Sequence, residues 1–389
     1  MVRGSVPPSA DAVVVGAGAI GASAAYHLAA AGIEHVVLIE REAGPARGAT
    51  GACAGGFRQQ FSSAVNLALS MASVPMILGF TAEHGLALDL HQDGYLFCYR
   101  DDAAWASARA AADRQRAAGA KVDCVSPADV AALLPGLALD GLVGATYGPD
   151  DGIADPAGLT QGYLTLARRE GARTCFGVEA HALVVRGDAV TGIETTAGVV
   201  ATPVVVSATG PTAADLPATA GVDVPVTPLR RHVVVTGSFP GCPRRHTLVV
   251  EAATNFYFHR EGRGVLMGMP AAGERPGLSA PEPADFLAGE LLPEAIRVLP
   301  ALAEAAVVAE WTGYYEMTPD AHPVLGPVSG LGGLWLANGF SGHGFQQAPI
   351  VGKLLAEWIV EGAPRTVDVS SLTLDRFAAG QLLAEAQVV

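Results

Sequence analysis

The run Val13-Val14-Val15 leads directly into Gly16-Ala17-Gly18-Ala19-Ile20-Gly21, and this joint constrains the fold more than any other segment of the chain. Three consecutive β-branched residues without polar alternation predict a strand covered on both faces, as in a parallel sheet. Ala19–Ala31 carries the small apolar residues of a helix that lies close against that strand. Gly16 permits the tight turn between them, Gly18 lets backbone approach a diphosphate, and Gly21 lets helix and strand come together. The first N–H groups of such a helix, with its dipole, attract negative charge. A second strand, Val36–Ile39, ends on Glu40, whose carboxylate is placed to accept hydrogen bonds from ribose hydroxyls. Gly16, Gly18, Ala19, Ile20, Gly21, Glu40 and the adjoining Arg41 are therefore expected to bind a dinucleotide.

With 389 residues, half of them hydrophobic and 16% charged, the chain has material for two packed domains and does not read as disordered. Its formal charge of −14 opposes binding to nucleic acid or to an anionic membrane surface. Arginine greatly outnumbers lysine, the lysines being Lys121 and Lys353. Cys53, Cys98, Cys124, Cys175 and Cys242 have neither disulfide-like nor zinc-like spacing and read as reduced, buried thiols of a cytoplasmic protein. Met1–Asp11 lacks the apolar stretch of a secretory signal, and no run of about 18 apolar residues predicts a membrane span.

Past the first strand–helix–strand unit, 44–61 is too glycine-rich for regular structure and is expected to be a loop against the ligand, with Gly48, Ala49, Thr50, Gly55, Gly56 and Phe57 in contact. Helices are expected over Ser63–His84 with a kink at Pro75, over Ala103–Ala118, after the Ser126-Pro127 cap, and over Pro156–Glu170. Strands are expected at Tyr95–Tyr99 and around Ala145–Tyr147. Val178–Val206 reads as three strands joined by turns at Gly187-Asp188 and Ala197-Gly198. From Thr227 the pattern is β-rich, with runs at 233–236, 247–250, 255–259 and 264–267 before a helix near Ala284–Leu299. The last third contributes Trp335–Asn338, the turn Gly339–Gly344 and a helix over Gln347–Val360.

Val204-Val205-Val206-Ser207-Ala208-Thr209-Gly210 is a buried strand ending in small residues, similar to the second cofactor-facing strand of glutathione-reductase-type flavoproteins. Three further motifs are Gly55-Gly56-Phe57-Arg58-Gln59-Gln60-Phe61, Trp311–Asp320 with Gly313, Tyr315 and Thr318-Pro319, and Gly339-Phe340-Ser341-Gly342-His343-Gly344-Phe345. In this order they resemble the D-amino-acid-oxidase-like, FAD-binding amine oxidoreductases over residues 11–362, above all the β-type subunits of heterotetrameric sarcosine oxidase and proline dehydrogenase. Monomeric sarcosine oxidase and glycine oxidase are more distant likenesses. The resemblance implies an α/β fold, a Rossmann-like FAD-binding domain (1–88, 150–222 and 318–389) interleaved with a β-rich α+β substrate domain (89–149 and 223–317). It implies FAD contacts at Val178, Ala208, Thr209, Gly210, Gly313, Gly339, Ser341, Gly342, His343, Gly344, Phe345 and Gln346.

The implied reaction removes hydride from the carbon beside an amine nitrogen of a small amine or amino acid, with oxygen or another acceptor taking the electrons. A partner subunit for electron transfer, or a homo-oligomer, would accompany it. Arg58 is the candidate for holding a substrate carboxylate or the flavin edge. His343 is a second catalytic candidate. Tyr257 and His259 share one face of a roof strand while Phe256 and Phe258 share the other, and alternation alone leaves open which face meets substrate. Where monomeric sarcosine oxidase has a flavin-bonded cysteine this chain has Gly313-Tyr314-Tyr315, so FAD is expected to be non-covalent. The carboxylate-binding lysine of that family is Gln346 here, a further arginine is Phe61, and the oxygen-activating lysine is Leu266. A non-catalytic FAD-binding assembly factor is the alternative reading of the same fold. An NAD-dependent dehydrogenase fits only Gly16–Glu40 and leaves the later motifs unexplained.

Overall fold

The computed structural model describes residues 5–279 and 285–385. Its organising element is a six-stranded sheet in the order 324–327, 334–338, 205–207, 12–15, 36–40, 173–176, parallel throughout except for the antiparallel edge strand Val324–Pro327. Side chains alternate across the neighbouring strands 12–15 and 36–40. Ala12, Val14, Val36 and Leu38 enter a core built with the helices Ala19–Ala30, Pro156–Arg169 and Gly344–Glu361, while Val13, Val15, Val37 and Ile39 meet Leu183, Val190, Ile193 and Val200 on the opposite face. Burial on both faces is why these strands lack polar alternation.

The second layer is an eight-stranded sheet in the order 307–317, 227–236, 264–269, 256–261, 248–251, 95–99, 144–148, 123–125, with one parallel pair between Leu248–Glu251 and Tyr95–Tyr99. The long strand Val307–Met317 was not separable from its motif in sequence, because Val307, Val308, Ala309 and Glu310 are exposed at a sheet edge and show no alternation. Arg173–Phe176 is likewise a strand that the sequence left unmarked. The three strands expected over 178–206 form an antiparallel meander, Ala180–Arg186, Ala189–Thr195 and Gly198–Ala201, with Val205–Ser207 leaving it for the parallel sheet.

Several helical expectations shift. The closing helix starts at Gly344 instead of Gln347. The helix expected over Ala284–Leu299 is a π-helical turn, Phe286–Leu291, followed by Leu292–Val298; Pro293 has no N–H to continue the α-helical ladder, and Ala284 lies outside the described residues. Ala64–His84 runs unbroken through Pro75. Its length and mean hydropathy of 1.6 would suffice to cross a membrane, which the run-length reading overlooked, yet Leu69, Val74, Ile77 and Phe80 pack in the core of this fold. The loop 44–61 contains a short 3-10 turn, Ala49–Ala52, and the strand Gly56–Phe57. All five cysteines are free; Cys98 and Cys175 are buried, but Cys124 is exposed, since its strand lies at a sheet edge.

The C-terminal segment is tied back by a buried ion pair. Arg376 donates from Nε to Asp320 Oδ2 at 2.8 Å and from Nη2 to Oδ1 at 2.9 Å, and the amides of His322 and Leu383 also reach that carboxylate. Burial pushes the Asp320 carboxyl up, but Arg376 and the amides outweigh it and hold the group below its ordinary value. Arg376→Leu would strand that carboxylate and should cost about 3–5 kcal/mol. A depressed native value means that the contribution is present above the ordinary carboxylate range and lost as pH falls through the native value. Urea denaturation of both proteins from pH 7 to pH 3 should therefore show the gap narrowing in acid.

Candidate functional site

At the carboxyl ends of the parallel strands lies a cleft of about 690 Å³. Gly16, at φ +106°, turns the chain where a Cβ would stand 2.3 Å from the Ala208 carbonyl oxygen, so the first glycine turn and the Ala208-Thr209-Gly210 strand end are pressed together. The Glu40 carboxylate closes the cleft's far end, accepting from Ala17 N–H at 2.7 Å and Glu42 N–H at 2.8 Å. Gly18 caps the helix Ala19–Ala30 with no side-chain bond, no acid occupies its first turn, and Thr50 Oγ1 accepts from Ala19 N–H at 3.1 Å. The positive helix end thus faces the cleft with no acid in its first turn, which fits a diphosphate. Arg41, Gly48, Ala49, Thr50, Val178, Ala208, Thr209 and Gly210 wall the same cleft with Gly16, Gly18, Ala19 and Ile20.

The cleft continues into a second cavity of about 120 Å³ beneath the eight-stranded sheet, sharing Ile20, Thr50, Ala52, Gly313, Glu316 and Phe340 with it. Gly313 is required by close approach, since a Cβ there would lie 2.7 Å from Ala52 Cβ; a side chain of cysteine size would push the strand Val307–Met317 off the loop. Gly56, Arg58, Tyr257, Gly342, His343, Gly344, Phe345 and Gln346 line this cavity.

Arg58 is 3% exposed and held from several sides. Its N–H donates to Gln346 Oε1 at 2.7 Å, Nη1 donates to the Gln60 carbonyl, Nη2 donates to His343 Nε2 at 3.3 Å, and the guanidinium lies 3.9 Å over the Phe61 ring. A guanidinium offers only donors, so His343 Nε2 accepts and its proton resides on Nδ1. Phe61 also stands edge-on to His343 at 4.9 Å. Beneath, Asp151 accepts from Gln59 N–H at 2.8 Å and Gln60 Nε2 at 3.1 Å. Burial pushes its carboxyl up to about 7, against those hydrogen bonds and the nearby Arg58.

The roof strand settles the alternation left open by sequence: Phe256 and Phe258 enter the core on the far side, and Tyr257 faces the cavity. His259 shares that face but does not line the cavity; its Nε2 is 3.0 Å from the Ala54 carbonyl and its Nδ1 2.7 Å from that of Arg260, so it tethers the roof to the glycine loop. Packing places the remaining candidates. Phe57 alternates with Gly56 into the core, Gly55 is pressed on the Ala154 carbonyl, and Gly21 on that of Gly16. Gly339 and Ser341 shape the turn without lining either cavity, Ser341 N–H donating to the Glu316 carbonyl at 3.1 Å.

Tyr95, Arg231, Tyr315, Glu316 and Cys53 also line the cavity and were not assigned to it from sequence. Arg231 arrives through a strand register, opposite Gly313, that no local pattern encodes. Tyr315 carried a signal, being two residues from Gly313 on one strand face. Burial raises the phenols of Tyr95 and Tyr257 and takes that of Tyr315 up to about 12, and pushes the Cys53 thiol up to about 11, so all four are neutral near pH 7. Burial also pushes the Glu316 carboxyl up to about 7 at the junction of the two cavities.

A family model described as FAD dependent oxidoreductase (DAO) matches residues 11–358. The FAD-dependent oxidoreductase domain-containing protein 1 of Xenopus laevis is 30% identical over 432 residues, covering 99% of this chain and 86% of that protein. Mouse mitochondrial dimethylglycine dehydrogenase is 28% identical over 374 residues, covering 91% of this chain but 43% of the relative. Among solved structures, L-proline dehydrogenase from P. horikoshii superposes with a TM-score of 0.90 at 29% identity, covering 97% of this chain and all of that one. Because a flavin-bonding cysteine cannot replace Gly313 and the Cys53 thiol is held neutral, acid precipitation of the purified protein should release the yellow chromophore into the supernatant; colour retained in the pellet would contradict this.

Proposed function

The chain belongs to the DAO family of FAD-dependent oxidoreductases, and on that premise we propose that it oxidises the carbon–nitrogen bond of an amino acid or secondary amine to an imine that water then hydrolyses. Sarcosine-, proline- and N-substituted-glycine-like compounds are the substrate class. FAD held in the cleft would supply the two-electron acceptor chemistry for this hydride transfer. The observation that carries the reading is the continuity of the dinucleotide cleft, at Gly313 and Glu316, with a small cavity containing Arg58, His343, Tyr257, Tyr315 and Arg231. The names of two relatives, dimethylglycine dehydrogenase and L-proline dehydrogenase, point to amino acids with substituted nitrogen.

In this reading the chain's own groups bind, orient and exclude water. Tyr95, Tyr257 and Tyr315 offer hydroxyl donors and apolar ring faces that would fix a small substrate under the roof. The start of the closing helix, Gly344–Glu361, has free backbone N–H groups that would stabilise negative charge on a cofactor held against it. Arg58, pinned by Gln60 and His343, is a fixed cation for that charge. Anaerobic titration with sarcosine, dimethylglycine, proline and simple amines, read by loss of the oxidised flavin absorbance, tests the reading; a fully FAD-loaded protein that none of them reduces would favour the assembly-factor alternative.

Removal of a fixed cation from such a site typically costs on the order of 100-fold in the chemical step. Arg58→Met should retain FAD and lower the anaerobic flavin-reduction rate constant by about that factor; an FAD-loaded variant with unchanged reduction kinetics would remove Arg58 from the mechanism.

The electron acceptor is proposed to be a carrier or partner subunit in preference to oxygen. Leu266, which stands where the oxygen-activating lysine is expected, packs with Tyr257 and Val233 in the roof. Lys121 pairs at the surface with Asp150 at 2.9 Å, and Lys353 lies 3.9 Å from Glu357 on the closing helix. Stopped-flow mixing of substrate-reduced protein with air-saturated buffer should give reoxidation slower than the reductive half-reaction.

A further inference from the structure

The cavity is lined by two arginines, and they are held very differently. Arg58 is fixed by a backbone carbonyl, a histidine and an aromatic ring, all within its own wall. Arg231 reaches the cavity from the centre of the strand Thr227–Thr236 and is paired instead with a carboxylate from outside that wall. Its Nη1 donates to Glu274 and, at 3.1 Å, to the Arg230 carbonyl, and its guanidinium lies 4.7 Å over the Tyr315 ring. The side chains of Arg231 and Glu274 are 12% and 21% exposed, so the pair is mostly removed from solvent yet within reach of it.

Glu274 sits in the connection that follows the strand Gly264–Met269 and runs on beside Thr227–Thr236, bridging Leu229 at Pro276. That connection is fastened on both sides of it. Ala272 N–H donates to Glu290 Oε2 at 2.8 Å on one side; on the other, Gly277 N–H donates to the Pro228 carbonyl at 2.8 Å and Tyr314 Oη to the Leu278 carbonyl at 2.9 Å. None of these fastenings uses the Glu274 side chain. Burial pushes its carboxyl up by more than the Arg231 charge and hydrogen bond bring it down, so the pairing does not fully offset the desolvation of the carboxylate.

We propose that Arg231 is the anchor for the substrate's carboxylate, and that Glu274 is an internal carboxylate that occupies this arginine until an amino-acid substrate displaces it. The inference rests on the amino-acid reading of the site and sharpens it: the substrate carries a carboxylate, because only an anion replaces Glu274 without leaving the guanidinium uncompensated. Simple amines offer no such exchange. The cavity face of Arg231, framed by Tyr315, Tyr257 and Gly313, would seat the carboxylate on one side of a small substrate and leave the amine-bearing carbon towards the junction where the dinucleotide cleft enters.

The test uses FAD-loaded protein and a non-reacting pair of probes, pyrrole-2-carboxylate and its neutral carboxamide, titrated while the flavin absorbance spectrum is followed. Matched FAD content and thermal midpoints establish that Arg231→Gln and Glu274→Gln are folded. Removing the competing charge should tighten carboxylate binding about fivefold in Glu274→Gln, the scale of one partly solvated ion pair. Losing a charged hydrogen-bond partner should weaken it about tenfold or more in Arg231→Gln. Neither change should alter carboxamide binding. Carboxylate binding unchanged in Arg231→Gln, weakened in Glu274→Gln, or absent from Glu274→Gln at millimolar concentration would each overturn the proposal. Since these probes are not oxidised, the result stands apart from the amine-oxidation reading, which fails separately if no amine reduces the flavin.

Discussion

The contact on which the rest depends is that of Gly16 with the Ala208 carbonyl. Two parallel strands end side by side, and their turns are so close that a Cβ on Gly16 would lie 2.3 Å from that oxygen. This closeness sets the width of the cleft floor and aims the uncapped start of the helix Ala19–Ala30 across it. The walls of the cleft are then measured from this point: Glu40 at the end of the adjacent strand, Thr50 against the helix start, and Phe340 past the end of the strand on the other side of Ala208. Ligand sites at the carboxyl ends of parallel strands are a consequence of this geometry, because helix starts converge there.

The parts of the fold legible in sequence were those whose reasons are local. Val13 to Val15 needed no partner to reveal double-sided burial, and Gly16, Gly18 and Gly21 follow from what a strand-to-helix turn requires. Ser126 and Asp129 form the capping box that the Ser126-Pro127 start suggested. What escaped depended on register or on edges. Arg231 enters the cavity because Thr227–Thr236 pairs antiparallel with Val307–Met317 so as to place it opposite Gly313, and a one-residue slip would have presented Arg230 instead. The start of Val307–Met317 was obscured because an exposed edge has no buried face to pattern it. His259 shows the converse: alternation pairs it with Tyr257 on one face, but its reach to the Ala54 carbonyl depends on a loop contact across 205 residues.

Charge in the cavity is managed by burial more than by titration. The phenols and Cys53 are all driven toward their neutral forms, and the two arginines are compensated by groups of different character, one by neutral acceptors and one by a carboxylate. A chain of net charge −14 with so few lysines concentrates its useful cations in guanidinium groups, whose planar forks can be held by carbonyls, rings and carboxylates together. An ammonium group at the position of Leu266 would have required a desolvated point charge among Tyr257, Val233 and Tyr95.

The glycine loop and the roof are coupled at three points, and this coupling explains why the site needs both sheets. Trp311 Nε1 donates to the Ala52 carbonyl at 3.2 Å, Gly313 lies against Ala52 Cβ, and His259 reaches the next carbonyl but one, that of Ala54. The strand Gly56–Phe57 that continues this loop pairs with Gly152–Ala154, and Asp151 just before it grips the amide of Gln59. The position of Arg58 is thus set jointly by the parallel sheet, through the closing helix and Gln346, and by the antiparallel sheet, through the loop that the roof clamps. A displacement of the roof would carry Arg231 with it, whereas Arg58 is also held by the closing helix, so the two arginines facing the cavity keep their separation only while both layers stay in register.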